Sequence, residues 1–157
     1  MIDSRFVLLP LAFVGLSIFA FSAHAFQQNT DKEVEKAIKS YLSSKKSDTE
    51  DTDSQDSAIA DLNGDGKSEI VLVWTLLGPT YWHNTLTILT KTNQGYKPIA
   101  SLDLNGEAKL TSVKGGIIFT DEKVYGKNDA ICCPSIKKEG KYRWVGKTIT
   151  EVKKEKL

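Results

Sequence analysis

The stretch EIVLVWTLL, residues Glu69–Leu77, is a continuous apolar run with no charge after its first residue. Isoleucine, valine and threonine side chains are branched at Cβ and favour extended backbone. Apolar residues at successive positions, without polar alternation, are typical of a strand buried inside a sheet. The run therefore predicts a buried central strand.

Several shorter runs after this strand have the pattern of strands joined by turns. In YWHNTLTILTK, Leu86 and Ile88 alternate with Thr85 and Thr87, which predicts one apolar and one polar face. The runs GYKPIASLDL, EAKLTSV and GIIFTDEKVY follow, and KYRWVG and KTITEV close the chain as a last hairpin. The separating dipeptides Asn-Gly and Gly-Gly favour the positive φ of tight hairpin turns.

An amphipathic helix is predicted before the strands, in NTDKEVEKAIKSYL. Thr30 or Asp31 suits its N-cap, because a short polar side chain there accepts from the first free N–H groups. Apolar residues recur on one face at helical spacing: Val34, Ala37, Ile38, Tyr41 and Leu42. We expect this face to pack on a sheet.

Residues 43–57, SSKKSDTEDTDSQDS, lack apolar side chains and are rich in Ser, Thr and Asp. This composition predicts a flexible, solvated linker. The whole pattern predicts an α+β fold in which one N-terminal helix packs on a six- to seven-stranded, mostly antiparallel sheet of hairpins. No segment recurs as a second copy, so a full repeat array is not expected.

The N-terminal region has the features of a secretory signal peptide. Arg5 precedes the uncharged run FVLLPLAFVGLSIFAF, and Ala23 and Ala25 are the small residues of a cleavage site. The run is shorter than the about 20 residues that a spanning helix needs, although a retained membrane anchor is the alternative. We predict a signal peptide at residues 1–25, one domain at residues 26–157, and a periplasmic or secreted protein with no membrane span after cleavage.

The charge balance excludes some classes of partner. The chain has 21 Lys and Arg residues against 20 Asp and Glu residues, for a formal net charge of +1. No basic stripe is present that would follow a nucleic-acid backbone. The expected partner is a protein or a component of the cell envelope, and not a nucleic acid.

The loop that leads into the buried strand, DLNGDGKSE, concentrates acids and glycines. Calcium binds six to eight oxygens, and alternate loop residues can supply them. Suitable oxygens recur at this spacing in the side chains of Asp61, Asn63, Asp65 and Glu69 and the backbone carbonyl of Lys67. The alternative is a plain turn, in which Asn-Gly and Asp-Gly only form bends.

The pattern D-x-N-G-D-G-x-x-E followed by a strand resembles the calcium loops of FG-GAP and VCBS-type repeats, which occur in β-propeller blades and in secreted bacterial proteins. The resemblance implies that the four side chains just named are calcium ligands and that Lys67 is a carbonyl ligand. It covers only residues 58–74, and the chain has one such loop where a propeller needs several. A structural role for calcium is therefore expected, without the propeller.

The only two cysteines, Cys132 and Cys133, are adjacent in NDAICCPS. Cysteines in an oxidising compartment normally pair, and adjacent ones can pair by closing an eight-membered ring. Buried free thiols, and bonds to another chain or redox activity, are the alternatives. Pro134 follows the pair and favours a turn.

The motif CCPS followed by GKYRWVG resembles the C-terminal part of small secreted bacterial proteins related to the LppP/LprE lipoproteins. Together with the acidic loop, this resemblance implies an extracytoplasmic domain and supplies no activity. The sequence departs from those lipoproteins because it has no lipid-attachment cysteine near the predicted cleavage site.

Aromatic residues flank a Gly-Pro turn in WTLLGPTYWHN. Trp74, Tyr81, Trp82 and His83 are candidates for a surface that stacks on a sugar or a peptide. We favour the alternative, in which Trp74 and Trp82 are core and hairpin-pair residues. Trp144 is expected in the core near the cysteine pair.

Signals for catalysis are weak. His83 would be the only histidine left after signal cleavage, and no G-x-S-x-G elbow is present. Asp103 or Asp121 could orient His83, and Ser135 could be a nucleophile, but no spacing selects them. No catalytic residue is therefore predicted, and the sequence favours a non-enzymatic protein without deciding the matter.

These patterns lead to one expected function and two alternatives. We expect a secreted or periplasmic, calcium-binding, non-enzymatic domain that binds a protein or an envelope component. One alternative is an envelope hydrolase or a thiol-redox enzyme. The other is a periplasmic inhibitor or immunity protein.

Overall fold

The computed structural model describes residues 23–153, with side chains from residue 32 onward. One helix, α1 (Ala23–Ser43), precedes eight strands. In chain order the strands are β1 (Asp51–Ala60), β2 (Glu69–Leu77), β3 (Trp82–Thr92), β4 (Gly95–Leu104), β5 (Gly106–Lys114), β6 (Ile117–Val124), β7 (Ile136–Val145) and β8 (Thr148–Glu151). Neighbouring strands pair in chain order, β1 to β4 in a first sheet and β5 to β8 in a second sheet. Every pair is antiparallel.

Strand β2 lies inside the first sheet, and both of its faces are buried. One face packs under α1, in a core whose buried members are Val34, Tyr41, Leu42, Ile70, Leu72, Trp74 and Leu89. The other face packs on the second sheet, in a core that includes Val71, Val73, Leu86, Ile88, Ile118, Tyr142 and Ile149. The structure thus confirms the predicted buried strand, the apolar helix face and the Leu86 and Ile88 face of β3.

The predicted single sheet of six or seven strands is wrong, because the strands divide into two four-stranded sheets. The single helix and the mostly antiparallel pairing are confirmed. The division falls at Asn105 and Gly106, which were predicted to form a hairpin turn and instead connect the two sheets. Gly106 has a φ of +127°, and a Cβ there would lie 2.1 Å from the carbonyl oxygen of Lys123. Glycine therefore lets β5 leave the first sheet and pair with β6.

The predicted flexible linker at residues 43–57 is wrong from residue 51 onward, since those residues form most of β1. Strand β1 is the outer strand of the first sheet, and its backbone pairs with β2 from Asp51 to Ala60. An edge strand with an exposed face needs few apolar side chains, and charged residues there protect the edge against further pairing. Its polar composition therefore resembles that of a linker.

Helix α1 begins at Ala23, earlier than the N-cap predicted at Thr30 or Asp31. Residues 1–22 of the predicted signal peptide lie outside the described residues, so cleavage after Ala25 stays a prediction. Among residues 23–153, no helix is long and apolar enough to cross a membrane.

Strand β5 connects the second sheet to several parts of the first. The Asn84 side chain on β3 accepts a hydrogen bond from the backbone N–H of Ala108, at 2.8 Å. The Asp56 carboxylate on β1 accepts from the backbone N–H of Leu110, at 3.2 Å. Polar side chains thus replace strand pairing where β5 passes over the first sheet, which keeps its backbone donors satisfied.

Replacing Leu72 with alanine should lower the free energy of unfolding by about 2–5 kcal/mol, because it leaves a cavity between α1 and the first sheet. Leu72 is fully buried, whereas Leu77 on the same strand is 42% exposed. Leu77→Ala, the same chemical change, is the matched control and should stay within about 0.5 kcal/mol. Urea unfolding of both variants measures the difference. Equal losses would contradict burial of β2 under the helix.

Candidate functional site

The acidic loop lies between β1 and β2 and is organised by its own carboxylates. Asp61 accepts hydrogen bonds from three backbone N–H groups, those of Asn63, Gly64 and Gly66, at 3.3, 2.7 and 2.9 Å. Asp65 accepts from the backbone N–H of Lys67 at 2.8 Å. These hydrogen bonds, led by the one from Gly66, hold the pKa of Asp61 below its usual value. The loop is therefore built around an ionised Asp61.

Glu69, the first residue of β2, connects this loop to the core. Its side chain is buried, at 1% exposure, and accepts a hydrogen bond from the backbone N–H of Leu62 at 3.0 Å. Leu62 is itself buried in the core between the two sheets. A Cβ on Gly116, in the β5–β6 turn, would lie 2.7 Å from the Leu62 carbonyl oxygen, so the loop also packs closely against the second sheet.

Burial raises the pKa of Glu69, and the charges of Asp65 and Asp61 raise it further. A cation in the loop would offset this repulsion, and each carboxylate oxygen can accept an N–H and still offer a lone pair. Within residues 23–153, however, no three or more His, Cys, Asp and Glu side chains are gathered as a metal-binding group. The side chains of Asp61, Asn63, Asp65 and Glu69 and the carbonyl of Lys67 thus stay predicted ligands.

Cys132 and Cys133 have their sulfurs within bonding distance, as a vicinal disulfide. The loop that carries them, residues 125–135, is fixed by one aspartate. Asp129 accepts hydrogen bonds from the backbone N–H of Gly126 and from both the N–H and the hydroxyl of Ser135, at 2.8–2.9 Å. The bonds from Gly126 and Ser135 lower the pKa of Asp129, so its charge persists at neutral pH.

The four candidate stacking residues do not form one surface. Trp74 is buried under α1 and donates its indole N–H to Thr87 at 3.0 Å, as a core residue. Tyr81 is exposed and donates to the Glu50 carboxylate. Trp82 pairs with Leu77 across the β2–β3 hairpin, as we favoured, and is only partly buried.

The acidic loop precedes β2, and residues 78–82, here called the aromatic turn, follow it. The two lie at opposite ends of the strand. Since β2 has nine residues, the two loops are about 25–30 Å apart. Trp144 is partly buried against the core between the sheets, as expected. It lies near the end of β7, whereas the cysteine pair precedes the start of that strand, so the predicted closeness of Trp144 to the cysteines is wrong.

Of the residues considered for nucleophilic catalysis, the structure brings His83 and Asp103 close together and leaves Ser135 and Asp121 elsewhere. His83 on β3 faces Asp103 on β4, with 4.0 Å between Nε2 and Oδ1. Ser135 donates its hydroxyl to Asp129 rather than to a histidine. Asp121 lies on β6 in the second sheet. This arrangement fixes loops and joins strands, and it does not assemble a nucleophile with a base.

An open cleft of about 820 Å³ lies beside the aromatic turn, and the sequence did not reveal it. Its lining includes Trp82 and Asn84 from the first sheet, Ala108, Glu122 and Lys138 from the second, and Cys132. These residues come from separate strands, so no local motif could have pointed to the site. The one available signal was the strand alternation of β6, which places Glu122 on the same buried face as Ile118 and Thr120.

Glu122 is buried, at 5% exposure, and is satisfied by neighbours on its own strand β6 and on β7. Its Oε1 accepts hydrogen bonds from the hydroxyls of Thr120 and Tyr142, at 2.7 and 2.6 Å, and its Oε2 lies 3.5 Å from the Lys138 ammonium. Burial, with the Glu122 hydrogen bond, raises the pKa of Tyr142 above its usual value, so the phenol remains a donor. A Cβ on Gly140 would lie 2.2 Å from Glu122 Oε1, so glycine leaves room for this carboxylate.

Comparison with known proteins finds no match to the chain among family models, curated proteins or solved structures. The resemblances to FG-GAP and VCBS-type loops and to the LppP/LprE lipoproteins therefore stay predictions.

Glu69→Gln should raise the melting temperature in a chelating buffer at neutral pH. The amide oxygen can still accept from Leu62, while the cost of burying a charge near Asp61 and Asp65 disappears. Because the pKa of Glu69 is raised by folding, the wild-type penalty applies at pH values above that raised pKa and fades as the pH falls through it towards the unfolded value.

Calorimetric melting of both proteins at several pH values measures this difference. The higher melting temperature of Glu69→Gln should disappear in acid, where the wild-type Glu69 side chain is also neutral. A variant that is less stable than wild type at neutral pH would contradict the unfavourable burial of this charge.

Proposed function

We propose that the protein is a secreted or periplasmic, non-enzymatic domain that binds a protein or an envelope component, with calcium stabilising its acidic loop. One observation carries the binding role. The loop at residues 125–135 is fixed by Asp129 and the disulfide, yet it presents Ile131 to solvent at 72% exposure.

An ordered loop with an exposed apolar side chain is favourable for recognition. Its backbone is already fixed, because Tyr125 donates to the carbonyl of Ile131 and Cys133 donates to the carbonyl of Ala130. Binding would therefore cost little additional ordering. Ile136, the first residue of β7 directly after the loop, is 50% exposed as well. An apolar side chain that is held in place can be buried against a partner with a favourable free energy.

The support for calcium is the ligand chemistry of the loop. Asp61, Asp65 and Glu69 place three carboxyl groups within one short loop, and no lysine or arginine ion pair of the described residues involves them. Extracellular calcium sites are commonly as weak as about 10⁻⁴ to 10⁻³ M, so an exposed loop of this kind is sufficient. Because Leu62 connects the loop to the core, an ion bound there would stabilise both sheets.

Calcium should raise the melting temperature of residues 26–157 relative to the same protein in chelator, since an ion that binds only the folded state stabilises it. Asp65→Asn should remove this calcium-dependent rise, because it deletes a charged ligand while its amide oxygen can still accept from Lys67. Asp48→Asn, at an exposed residue outside the loop, is the matched control and should retain the rise. Differential scanning calorimetry with and without calcium measures the effect.

Two results would count against the calcium site. If wild type shows no calcium-dependent shift up to millimolar calcium, the acidic loop is a plain turn. If Asp65→Asn and Asp48→Asn lose the shift equally, calcium acts elsewhere on the protein.

Photocrosslinking in intact cells tests the binding role directly. Ile131, replaced by p-benzoylphenylalanine, should give a discrete adduct, because its side chain is presented to partners. Val145, replaced in the same way, is the control, since it is 55% exposed at the end of β7. Denaturing electrophoresis and mass spectrometry identify the adducts. Equal labelling from both positions, or no adduct from position 131, would argue against this loop as the binding surface.

A further inference from the structure

We propose that the cleft between the two sheets binds a neutral carbohydrate chain, with Trp82 as its stacking surface. This inference rests on the proposed binding role and names a ligand class for it. The site is the cleft, and not the exposed Ile131 on the loop at residues 125–135. The cleft volume of about 820 Å³ lies within the range of about 300–1,000 Å³ that is common for small-ligand sites.

The charges of the cleft favour a neutral ligand. Its lining contains four carboxylates and four lysines, so it has no net charge that would attract a phosphate or a polycation. Several of these charges already pair with each other. Lys123 lies 2.6 Å from Glu107, and Lys138 lies 3.5 Å from Glu122. A strongly charged ligand would have to displace such pairs, whereas a polyhydroxyl ligand can bind beside them.

The polar groups of the cleft suit hydroxyl groups, which both donate and accept hydrogen bonds. Glu122 is held by Thr120, Tyr142 and Lys138, so this carboxylate is fixed before any ligand arrives. Asn84 is fixed as well, because its amide donates to Thr75 at 2.6 Å and accepts from Ala108 at 2.8 Å.

The mouth of the cleft contributes an adaptable group in addition to these fixed ones. Gln55 is the extra residue of a bulge in β1, and its exposed side chain also lines the cleft. Bulges commonly redirect side chains towards functional sites. Glu122 and Asn84 are fixed at the wall of the cleft, and the Gln55 amide lies at its mouth. This arrangement suits a chain that extends out of the cleft.

Trp82 provides the apolar surface that a sugar ring needs. Its indole is only partly buried, lines the cleft and lies 6.5 Å from the Tyr125 ring. Tyr125 in turn donates to the carbonyl of Ile131, one residue before Cys132, which also lines the cleft. The aromatic surface is therefore anchored to the disulfide loop, and this contact positions the indole before a ligand binds.

Titration of the ¹⁵N-labelled domain with cellotetraose, chitotetraose and maltotetraose tests the proposal without any variant. The protein has three tryptophans, so three indole N–H signals report on binding. The Trp82 signal should shift and saturate with at least one of the sugars. The Trp74 signal, from a core residue, and the Trp144 signal, from a residue outside the cleft lining, should remain in place.

A variant pair then tests the stacking role. Trp82→Ala should weaken binding about tenfold, as expected for loss of an aromatic contact. Tyr81→Ala removes the neighbouring aromatic ring, which does not line the cleft, and should bind like wild type. Isothermal calorimetry with the best sugar measures both, and Trp82→Phe retains a ring if the alanine variant does not fold.

Three results would overturn the carbohydrate site. The first is that none of the three sugars shifts the Trp82 signal, and the second is that wild type and Trp82→Ala bind a sugar equally well. The third is that a neutral peptide such as tetraalanine shifts the Trp82 signal and none of the sugars does. If no sugar binds, the photocrosslinking adduct at position 131 is still expected, because that test concerns the loop and not the cleft. Loss of that adduct with sugar binding retained would instead contradict only the loop surface.

Discussion

The burial of β2 on both faces is the constraint on which the rest of this structure depends. A strand with apolar side chains at successive positions exposes two apolar surfaces, and each must be covered. Helix α1 covers one surface and the second sheet covers the other. This requirement explains why an eight-stranded chain of hairpins does not stay in one layer. It also explains why the polar strand β1 is stable at the edge, since its backbone pairs with the best-buried strand of the domain.

Two buried glutamates show how the fold accommodates charge in such a core. Glu69 accepts from the backbone of Leu62 and closes the acidic loop at one end of β2. Glu122 accepts from two hydroxyls and lies near Lys138, beside the cleft at the other end. Buried charges are tolerated only when hydrogen bonds or ion pairs compensate them. Both carboxylates also lie where the proposed ligands would bind, one near a cation and the other near a polyhydroxyl chain.

The two ends of the molecule suggest a separation of roles. In our proposal, the acidic loop contributes stability, because an ion there would act on the core through Leu62. The opposite end contributes recognition, because it combines the cleft, the Trp82 ring and the exposed Ile131 on a loop fixed by Asp129. Such a division is physically reasonable, since a recognition surface gains from a fixed loop backbone and need not itself hold the sheets together.

The sequence by itself determined the elements that depend on local pattern: the buried strand β2, the apolar helix face and most of the hairpin strands. It also located the acidic loop and the cysteine pair, because ligand spacing and adjacency are local properties. It did not determine that residues 51–57 belong to strand β1, since their side chains are polar and pairing with β2 orders them. The division into two sheets and the cleft were decided by tertiary structure alone, because strand pairing and the meeting of Trp82, Glu122 and Cys132 depend on contacts between residues that are distant along the chain.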